Sequence, residues 1–538
     1  MKKLLLALFT FLTASVSSQV LTQSEIAIFR ITTTTAILDE PKTIANLEIF
    51  WEPGNAMNTL IQPAHRNIKI GIEVRGSSSS TFPKKSYGFE TWDVNGNVII
   101  DSLLNFPKES DWILSANYTD KSLFNNALSY KLSRDMGMYA PRTQFVELII
   151  DGNYKGVYVF MEKIKRDKNR VDISKLVYAD TVGVNLTGGY IVKIDKYTGS
   201  ASTAGWDSQV NPYDFLAGQS VSYQYAYPSY PNMHQNQRDY IKNYVDTFEN
   251  ELNIGTLNTD DQGWRKYADE ESFIKYFLLN EYSKNVDGYR LSTYLYKKKS
   301  TYGGKLSVGP PWDYDLGWGN ANYCEGSVVS GWAYNFNAVC IGDGYKVPFW
   351  WKKLMTEDTL FQKKVACRWK EYRTTLLDTT TLFNYIDQQV LVFQNCVNRN
   401  FTRWPILNTY VWPNPAPQPA NYAGEILELK AWIRARYNWL DANLLSNNCT
   451  FAGIGEIEQE NEIFVVYPNP VQDKLYINLY TNQNAQISLF DATGRKIELI
   501  QNQNDTQHSF DTSTLPSGSY LIHVEQNNTQ QTKRFIKL

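Results

Sequence analysis

Two aspartates that stand two positions apart are the strongest candidates for chemistry in this chain. Asp313 and Asp315 have three glycines nearby, Gly309, Gly317 and Gly319. On an extended segment the two side chains would project to the same face, where carboxylates repel each other unless a cation lies between them. The glycines would let the backbone approach a ligand closely. The pair therefore predicts a divalent metal site, and the alternative is a turn capped by one aspartate with the other solvated.

A third aspartate lies between a helical pattern and a strand-like run. Asp287 is followed five positions later by Ser292, whose hydroxyl oxygen can bind a metal. This spacing matches kinase catalytic loops, in which the aspartate accepts the proton of the substrate hydroxyl and a later asparagine binds metal. Because Ser292 stands where a kinase has asparagine, it is a weaker candidate for a metal ligand than Asp287 is for the base. Residues 285–288 are equally compatible with an ordinary turn.

Four cationic side chains on or beside predicted strands have the charge that phosphate neutralisation requires. They are Arg75, Lys84, Lys85 and Lys163. The alternative is that the lysines face solvent, as most strand lysines do. The sequence contains no Gly-x-x-x-x-Gly-Lys-Ser/Thr loop, no Gly-x-Gly-x-x-Gly and no His-Arg-Asp. These absences argue against an ordinary P-loop enzyme and an ordinary protein kinase.

Composition and charge narrow the class of protein further. With 538 residues, 43% of them hydrophobic and 20% charged, the chain is an ordinary globular protein of about two to four domains. The formal net charge of −2 argues against a nucleic-acid partner for the whole chain. The four histidines are scattered singly, so we expect any metal to be held by oxygen.

Hydrophobic spacing predicts the elements that carry these residues. Residues 68–74 and 82–89 indicate a hairpin with a hydroxyl-rich tip, beside Arg75. Apolar residues at helical spacing from 123 to 132 predict a helix with Asp120 as N-cap and Gly137 at its end. Further predicted elements are a hairpin of 145–150 and 156–160, a helix at 273–282, strands at 291–296 and 306–308, and a mostly helical lobe at 348–445. The fold class is α+β.

The N-terminus and the cysteines indicate export. Residues 1–18 combine two lysines, an apolar run and small residues, as in a secretory signal peptide. The alternative, a membrane anchor, needs an apolar run of about twice this length. No other stretch is long and apolar enough to span, so we expect no transmembrane segment in the mature chain. The five cysteines predict one or two disulfides, and a Cys324–Cys340 pair would close a short loop.

Short motifs run through the first 320 residues in a fixed order. They are Arg75-Gly76-Ser77-Ser78, Phe82-Pro83-Lys84-Lys85-Ser86-Tyr87, Ala116-Asn117-Tyr118-Thr119-Asp120-Lys121-Ser122-Leu123, Ala140-Pro141-Arg142, Gly152-Asn153-Tyr154-Lys155-Gly156-Val157-Tyr158, Glu162-Lys163-Ile164, Gly188-Gly189-Tyr190-Ile191 and Trp312-Asp313-Tyr314-Asp315. In this order the motifs resemble the spore-coat protein H (CotH) kinase-like family, over about residues 45–320.

The resemblance implies an atypical protein-kinase-like fold that uses ATP and Mg²⁺ or Mn²⁺ to phosphorylate Ser or Thr of exported proteins. It also implies residue roles. Asp287 would be the catalytic base, Asp313 and Asp315 the metal ligands, and Trp312 the ring that stacks on adenine. The implied phosphate contacts are Arg75, Lys84, Lys85 and Lys163.

Beyond residue 455 the chain changes character. An acidic linker, 451–464, precedes short alternating strands that indicate a small all-β sandwich at 465–538. The motifs Tyr467-Pro468-Asn469-Pro470, Ser488-Leu489-Phe490-Asp491-Ala492-Thr493-Gly494-Arg495-Lys496, Leu515-Pro516-Ser517-Gly518-Ser519-Tyr520 and Lys533-Arg534-Phe535-Ile536-Lys537-Leu538 resemble the type A C-terminal sorting domain of the type IX secretion system. This implies type IX machinery as a partner and a Gram-negative outer membrane; an ordinary β-sandwich binding module is the alternative. The predicted domains are a signal peptide at 1–18, a CotH kinase-like domain at 19–450, the linker and the sorting domain.

The sequence leaves three functions open. The first is a secreted or cell-surface atypical kinase that acts on Ser or Thr of exported proteins, reached through the periplasm of a Gram-negative bacterium. Because ATP is scarce outside the cell, the second is a non-catalytic surface-binding or adhesive protein that keeps the kinase-like fold. The third is a glycan-processing enzyme, which is disfavoured because Asp313 and Asp315 lie on one short segment instead of across a cleft.

Overall fold

The computed structural model describes residues 21–54, 57–197, 204–444, 464–479, 484–491, 495–502, 505–526 and 529–537. The chain divides into two compact units, residues 1–449 and 450–538. The predicted signal peptide and residues 451–463 of the predicted linker lie outside the described residues, so both stay predictions.

A seven-stranded closed barrel forms the first part of the larger unit. The strands of this part are β1 (Gln23–Ser24), β2 (Ala27–Thr33), β3 (Thr43–Phe50), β4 (Asn58–Thr59), β5 (Arg66–Arg75), β6 (Ser86–Trp92), β7 (Asp111–Ser115), β8 (Thr143–Ile150) and β9 (Asn153–Glu162). The barrel order is β2-β3-β5-β6-β7-β9-β8, and the parallel pairing of β2 with β8 closes it. Its interior is filled by alternating apolar side chains such as Ile70, Phe89, Trp112, Leu148 and Phe160.

Both predicted hairpins are confirmed within this barrel. β5 and β6 pair from Arg75 opposite Ser86, with a short 3₁₀ turn at Ser78–Thr81 in the tip. β8 and β9 are joined at Asp151 and Gly152, which both have positive φ (50° and 74°). Two successive left-handed residues match the right-handed twist of a hairpin, and glycine adopts this conformation without steric cost.

The second sheet has five antiparallel strands and follows the barrel in the chain. Its strands are β10 (Tyr190–Ile194), β11 (Gly205–Asp207), β12 (Ser222–Tyr227), β13 (Thr293–Lys297) and β14 (Leu306–Val308), in the order β11-β12-β10-β13-β14. The helices of the larger unit are α1 (Asn125–Asp135), α2 (Gly183–Leu186), α3 (Gln235–Ile254), α4 (Glu270–Ser283), α5 (Phe336–Val339), α6 (Phe349–Thr356), α7 (Thr359–Tyr372), α8 (Thr379–Arg403) and α9 (Tyr422–Leu444). The predicted helix at 273–282, the strands near 291 and 306, and the helical region beyond 348 are all confirmed.

The predicted start of α1 needs a correction. The N-cap position is Phe124, and Asp120 lies in the loop before it. The Asp120 carboxylate still accepts hydrogen bonds from the backbone N–H groups of Leu123 (3.1 Å) and Asn125 (2.8 Å). A side chain can therefore satisfy helix-start donors from outside the cap position when the loop folds back. The predicted end is correct, because Gly137 follows the helix with φ 79°.

The smaller unit contains only strands among its described residues. They are β15 (Phe464–Tyr467), β16 (Lys474–Leu479), β17 (Ala485–Asp491), β18 (Lys496–Asn502), β19 (Gln507–Asp511), β20 (Gly518–Gln526) and β21 (Thr529–Lys537). Two sheets, β15-β16-β19 and β18-β17-β20-β21, share one apolar core that includes Ile477, Phe510, Leu489 and Ile522. The predicted all-β region is confirmed.

The α+β class is thus confirmed, and the closed barrel is a feature that the sequence did not predict. The predicted Cys324–Cys340 disulfide is present, with the two Cα atoms 5.4 Å apart. Within the described ranges, no helix has both the length and the apolar character that crossing a bilayer requires.

Candidate functional site

Two neighbouring segments hold the backbone of the loop that carries Asp313. Tyr130 of α1 accepts a hydrogen bond from the Asp313 backbone N–H (3.1 Å). Asn285, just after α4, donates from Nδ2 to the Asp313 carbonyl oxygen (3.0 Å). Asp313 has φ 67°, a left-handed conformation that is costly for a non-glycine residue and that such bonds can maintain. The extended geometry predicted for this segment is therefore wrong at Asp313.

The carboxyl groups of Asp313 and Asp315 nevertheless lie within hydrogen-bond reach of each other. Burial and then the Asp313 charge raise the pKa of Asp315 well above its usual range. The pKa of Asp313 rises to about 6, first because protein displaces water around it and then because of the Asp287 charge. The Asp313 side chain nevertheless remains exposed to solvent. Two carboxylates this close must share a proton or a cation.

Asp287 is a third carboxylate near this pair. Its charge raises the pKa of both Asp313 and Asp315. Burial raises the pKa of Asp287 itself, although Arg290 opposes this by donating from Nη2 to Oδ1 at 2.6 Å. The Asp287 side chain remains 23% exposed. A carboxylate with a raised pKa that stays accessible has the properties of a general base.

Asp195 is a fourth carboxylate near this group, and the sequence analysis did not single it out. Its charge raises the pKa of Asp287 and of Asp313. Lys193 donates from Nζ to Asp195 Oδ2 at 2.8 Å. Asp195 directly follows β10, which pairs with β13 beyond Asp287. Asp195 could have been identified from the sequence because it directly follows the strand that begins in the Gly188-to-Ile191 motif.

Arg75 brings a cation to the same carboxylates. It is the last residue of β5, and its guanidinium lies 5.6 Å from the ring centre of Trp312. The Arg75 charge lowers the pKa of Asp313, against the larger effect of burial. In the part of the chain that the structure describes, no hydrogen-bond or ion-pair partner contacts this guanidinium. A half-buried, unpaired guanidinium is well suited to an anionic ligand.

Lys84 has a different environment from Arg75. It is only 2% exposed, and its ammonium donates to the Val157 carbonyl oxygen (2.5 Å) and to Asn400 Oδ1 (3.0 Å). Burial lowers the pKa of Lys84 to about 7. These contacts join the barrel to α8, and the predicted phosphate contact of Lys84 finds no support in them.

Lys85 and Lys163 also have partners inside the protein. Lys85 donates from Nζ to the Ser80 carbonyl oxygen at 2.7 Å. Lys163 Nζ lies 3.6 Å from Asp111 Oδ1 and remains half exposed. Their roles as phosphate contacts stay predictions.

The donor set at Asp313 and Asp315 fits a hard divalent cation, because Mg²⁺ and Mn²⁺ prefer carboxylate oxygen. Among the residues that the structure describes, no three His, Cys, Asp or Glu side chains are grouped closely enough to hold an ion alone. Mg²⁺ commonly binds one or two carboxylates and completes its coordination with water and substrate phosphates. The two aspartates thus fit an ion that takes its remaining ligands from outside the protein.

Both units match known families. Residues 72–440 match the family CotH kinase protein, and residues 465–538 match the family Secretion system C-terminal sorting domain. Inner spore coat protein H of Bacillus subtilis (strain 168) is 21% identical over 284 residues, which are 52% of this chain and 67% of that protein. The twitchin kinase region from C. elegans is 11% identical over 95% of this chain and 99% of that chain, with a TM-score of 0.14 that carries no argument about the fold.

The sorting domain indicates secretion or a cell-surface location. The first family covers more than half of the chain and includes Arg75, Asp195, Asp287, Asp313 and Asp315. The chain therefore belongs to the CotH kinase protein family and ends in a secretion system C-terminal sorting domain.

Proposed function

We propose that this protein is a secreted or cell-surface kinase that transfers the γ-phosphoryl group of ATP to Ser or Thr of exported proteins. The observation that carries the proposal is that Asp287, the Asp313–Asp315 pair and Arg75 lie close enough for their charges to act on one another, with Arg75 beside Trp312. Carboxylates alone would repel a nucleotide, so the site favours phosphate only when a cation is bound between the paired aspartates.

Asp287 would act as the general base. The acceptor hydroxyl oxygen attacks the γ-phosphorus, its proton passes to Asp287, and the bond from the γ-phosphorus to the bridging oxygen breaks to release ADP. Arg290 favours the ionised form of Asp287 that accepts this proton. Phosphoryl transfer depends mainly on positioning and charge neutralisation, so few further protein groups are required.

Asp313 and Asp315 would hold Mg²⁺ or Mn²⁺ together with the ATP phosphates. When bound, the ion would neutralise the charge that develops on the phosphate oxygens. Arg75 has a free guanidinium for the same phosphates, and Trp312 beside it is only partly buried and can meet the adenine ring. Asp287 precedes these aspartates in the chain, as the catalytic-loop Asp precedes the Asp-Phe-Gly motif in kinases.

The proposed fold is an atypical kinase fold, in which the barrel corresponds to the N-terminal lobe and the helical region corresponds to the C-terminal lobe. The proposed partners are an exported protein substrate and the type IX secretion machinery, which the sorting domain would address. The route would cross the periplasm and outer membrane of a Gram-negative bacterium.

The full-length protein is incubated with γ-labelled ATP and Mg²⁺ or Mn²⁺, together with a library of Ser- and Thr-containing peptides. Asp287→Asn and Asp313→Asn test the base and the metal ligand. Asp260→Asn is the matched control, because Asp260 is a highly exposed aspartate whose ion pair is with Lys364. Binding of ATP and Mn²⁺ is measured by calorimetry on the same samples.

We expect both site variants to lose at least about a hundredfold in transfer, because each removes a group that acts in the transition state. Asp287→Asn should retain metal-dependent ATP binding, Asp313→Asn should lose it, and the control should match the wild type. A wild-type protein that neither labels nor binds ATP would overturn the proposal and favour the surface-binding alternative.

A further inference from the structure

We infer that Arg290 is a positioning residue for Asp287, and that the loop closed by the Cys324–Cys340 disulfide holds Arg290 in place. Full activity would then depend on this closed loop. The inference rests on the proposed function for its kinetic consequence, whereas its structural consequence can be tested without any activity.

The Arg290 guanidinium joins two segments of the chain. It donates from Nη2 to Asp287 Oδ1 (2.6 Å), from Nε to the Val286 carbonyl oxygen (2.8 Å) and from Nη1 to Asp343 Oδ1 (3.1 Å). The Arg290 side chain is only 3% exposed. Because the guanidinium is planar, bonds from all three nitrogens leave it one orientation. The carboxylate of Asp287 is oriented with it.

The partners of Arg290 on the far side lie at the end of the disulfide loop and just beyond it. Besides Asp343, Nη1 donates to the Tyr345 carbonyl oxygen at 3.4 Å. The guanidinium carbon lies 4.0 Å from the ring centre of Phe336 in α5. The Phe336 carbonyl oxygen accepts from the Cys340 N–H (2.8 Å), and the Cys340 carbonyl oxygen accepts from the Asp343 N–H (3.0 Å). The backbone of Cys340 thus connects Phe336 to Asp343, the two side chains that fix Arg290 from this side.

The beginning of the same loop is bound on the other side of Asp287. Lys284 donates from Nζ to the carbonyl oxygens of Glu325 (3.0 Å), Val328 (2.8 Å) and Ser330 (2.6 Å). Lys284 is only 5% exposed and has φ 43°. Two buried cations, one on each side of Asp287, therefore bind the two ends of one loop.

The disulfide links these two ends. Its cysteines are 16 positions apart, so the bond removes most of the freedom of the intervening loop. Without the bond, Phe336 and the segment of Asp343 and Tyr345 can leave Arg290, which then keeps only its contacts to the segment of Asp287 itself. The orientation of Asp287 would no longer be determined by the rest of the protein.

The test compares full-length Arg290→Gln, Asp343→Asn and a Cys324→Ser/Cys340→Ser double variant with the wild type. The matched control is Asp214→Asn, because Asp214 is a similarly exposed aspartate that is paired with Lys352. One readout is hydrogen exchange of the backbone amides of residues 284–292. The other is the separation of kcat from KM for ATP in the labelling assay.

We expect amide exchange at 284–292 to rise at least about tenfold in the double variant, and to change little in the control. We expect kcat to fall at least about tenfold in Arg290→Gln and in the double variant, with KM for ATP within about twofold of the wild type. The kcat of Asp343→Asn should lie between that of the wild type and those of the other two variants, because the Phe336 contact remains.

The inference is overturned if exchange at 284–292 is unchanged in the double variant, or if KM rises while kcat is unaffected. If the wild type transfers no phosphoryl group, the proposed function fails, and the exchange measurement still decides whether the loop positions Asp287. If Tm falls in Arg290→Gln and not in Asp343→Asn, the activity lost in Arg290→Gln reflects a destabilised fold, and Asp343→Asn and the double variant decide.

Discussion

The hydroxyl oxygen of Tyr130 accepts a hydrogen bond from the backbone N–H of Asp313 at 3.1 Å. Tyr130 is fully buried in α1, a helix that contacts both β8 of the barrel and α4. The conformation of the candidate metal loop is therefore set by a helix that lies almost two hundred positions earlier in the chain. This contact explains how a left-handed aspartate is maintained at the site.

Tyr130→Phe should weaken metal binding while the fold is retained. The variant leaves the Asp313 N–H without its acceptor, at a cost of about 1 kcal/mol. If the metal-binding conformation of the loop becomes less favourable by this free energy, Mn²⁺ affinity falls by about fivefold. Calorimetric titration of the full-length protein with Mn²⁺ and ATP measures the change. Tyr240→Phe is the control, because the Tyr240 hydroxyl donates to the Thr187 carbonyl oxygen (3.3 Å) and not to the metal loop. An unchanged Mn²⁺ affinity in Tyr130→Phe would contradict the expectation.

Asp313→Asn should stabilise the metal-free protein at neutral pH. In the wild type the folded-state pKa of Asp313, about 6, lies above the ordinary value of 3.8. The protonated carboxyl therefore contributes stability that is fully present below about pH 4 and is lost as the pH rises through 6. Asparagine carries no charge at any of these pH values. Because solvent reaches and screens Asp313, the gain should stay below about 1 kcal/mol, a rise in Tm of about 2 °C.

Thermal unfolding in the presence of a chelator at pH 7.5 and pH 4 checks this expectation. The tryptophan signal reports on the larger unit alone, because all 15 tryptophans lie between residues 51 and 439. The variant should exceed the wild type at pH 7.5 and equal it at pH 4. A lower Tm for Asp313→Asn at pH 7.5 would show that the carboxylate stabilises the fold.

Metal affinity should decrease below about pH 6. Both paired aspartates have raised pKa values, mainly because protein displaces water around them: the pKa of Asp313 rises to about 6 and that of Asp315 rises well above its usual range. A metal must displace the protons that these carboxyl groups hold, so affinity falls by up to about tenfold per pH unit for each proton displaced. Mn²⁺ binding followed by electron paramagnetic resonance at pH 7.5, 6.0 and 5.0 measures this. Equal affinity at all three pH values would exclude binding at the pair.

Lys84→Met should change the pH dependence of stability. The folded pKa of about 7 lies below the ordinary value of 10.5, so between these values the unfolded chain binds a proton that the folded protein does not. The free energy of unfolding should therefore rise with pH, by up to about 2 kcal/mol from pH 7 to pH 9. The variant should lack this increment.

Urea unfolding of both proteins at pH 7 and pH 9, followed by tryptophan fluorescence, gives the comparison. The variant also loses the bonds to Val157 and Asn400, which should lower its stability by about 1–3 kcal/mol at pH 9. An identical pH increment in the two proteins would mean that Lys84 keeps its ordinary pKa in the fold.

The local elements were predictable because their signals are contained in short stretches. The turn at Asp151 and Gly152, the hairpin that ends in Arg75 and the helix before Asp287 were all predicted near their observed positions. The closed barrel was not, because β2 pairs with β8 more than a hundred positions later. An alternating pattern of apolar and polar residues indicates a half-buried strand, but it does not identify the strand with which that strand pairs.

The same limit applied to the site. Asp287, Asp313 and Asp315 were identified by residue type and spacing, whereas Asp195 was missed because it comes near them only through the pairing of β10 with β13. The environments of the cationic residues were also not predictable from sequence. Arg75 and Lys84 look equivalent in sequence, yet one is unpaired beside Trp312 and the other is bonded to Asn400 of α8.

The sequence by itself determined the residue types at the site, the α+β class and the all-β C-terminal region, since each depends on residue identity or on short-range spacing. Only the tertiary structure decided that Cys324 pairs with Cys340, which carboxylates lie close enough to act on one another, and what orients Asp287. Those properties depend on distances between residues that are remote in the chain, and such distances are set by the packing of the barrel, the second sheet and the helices.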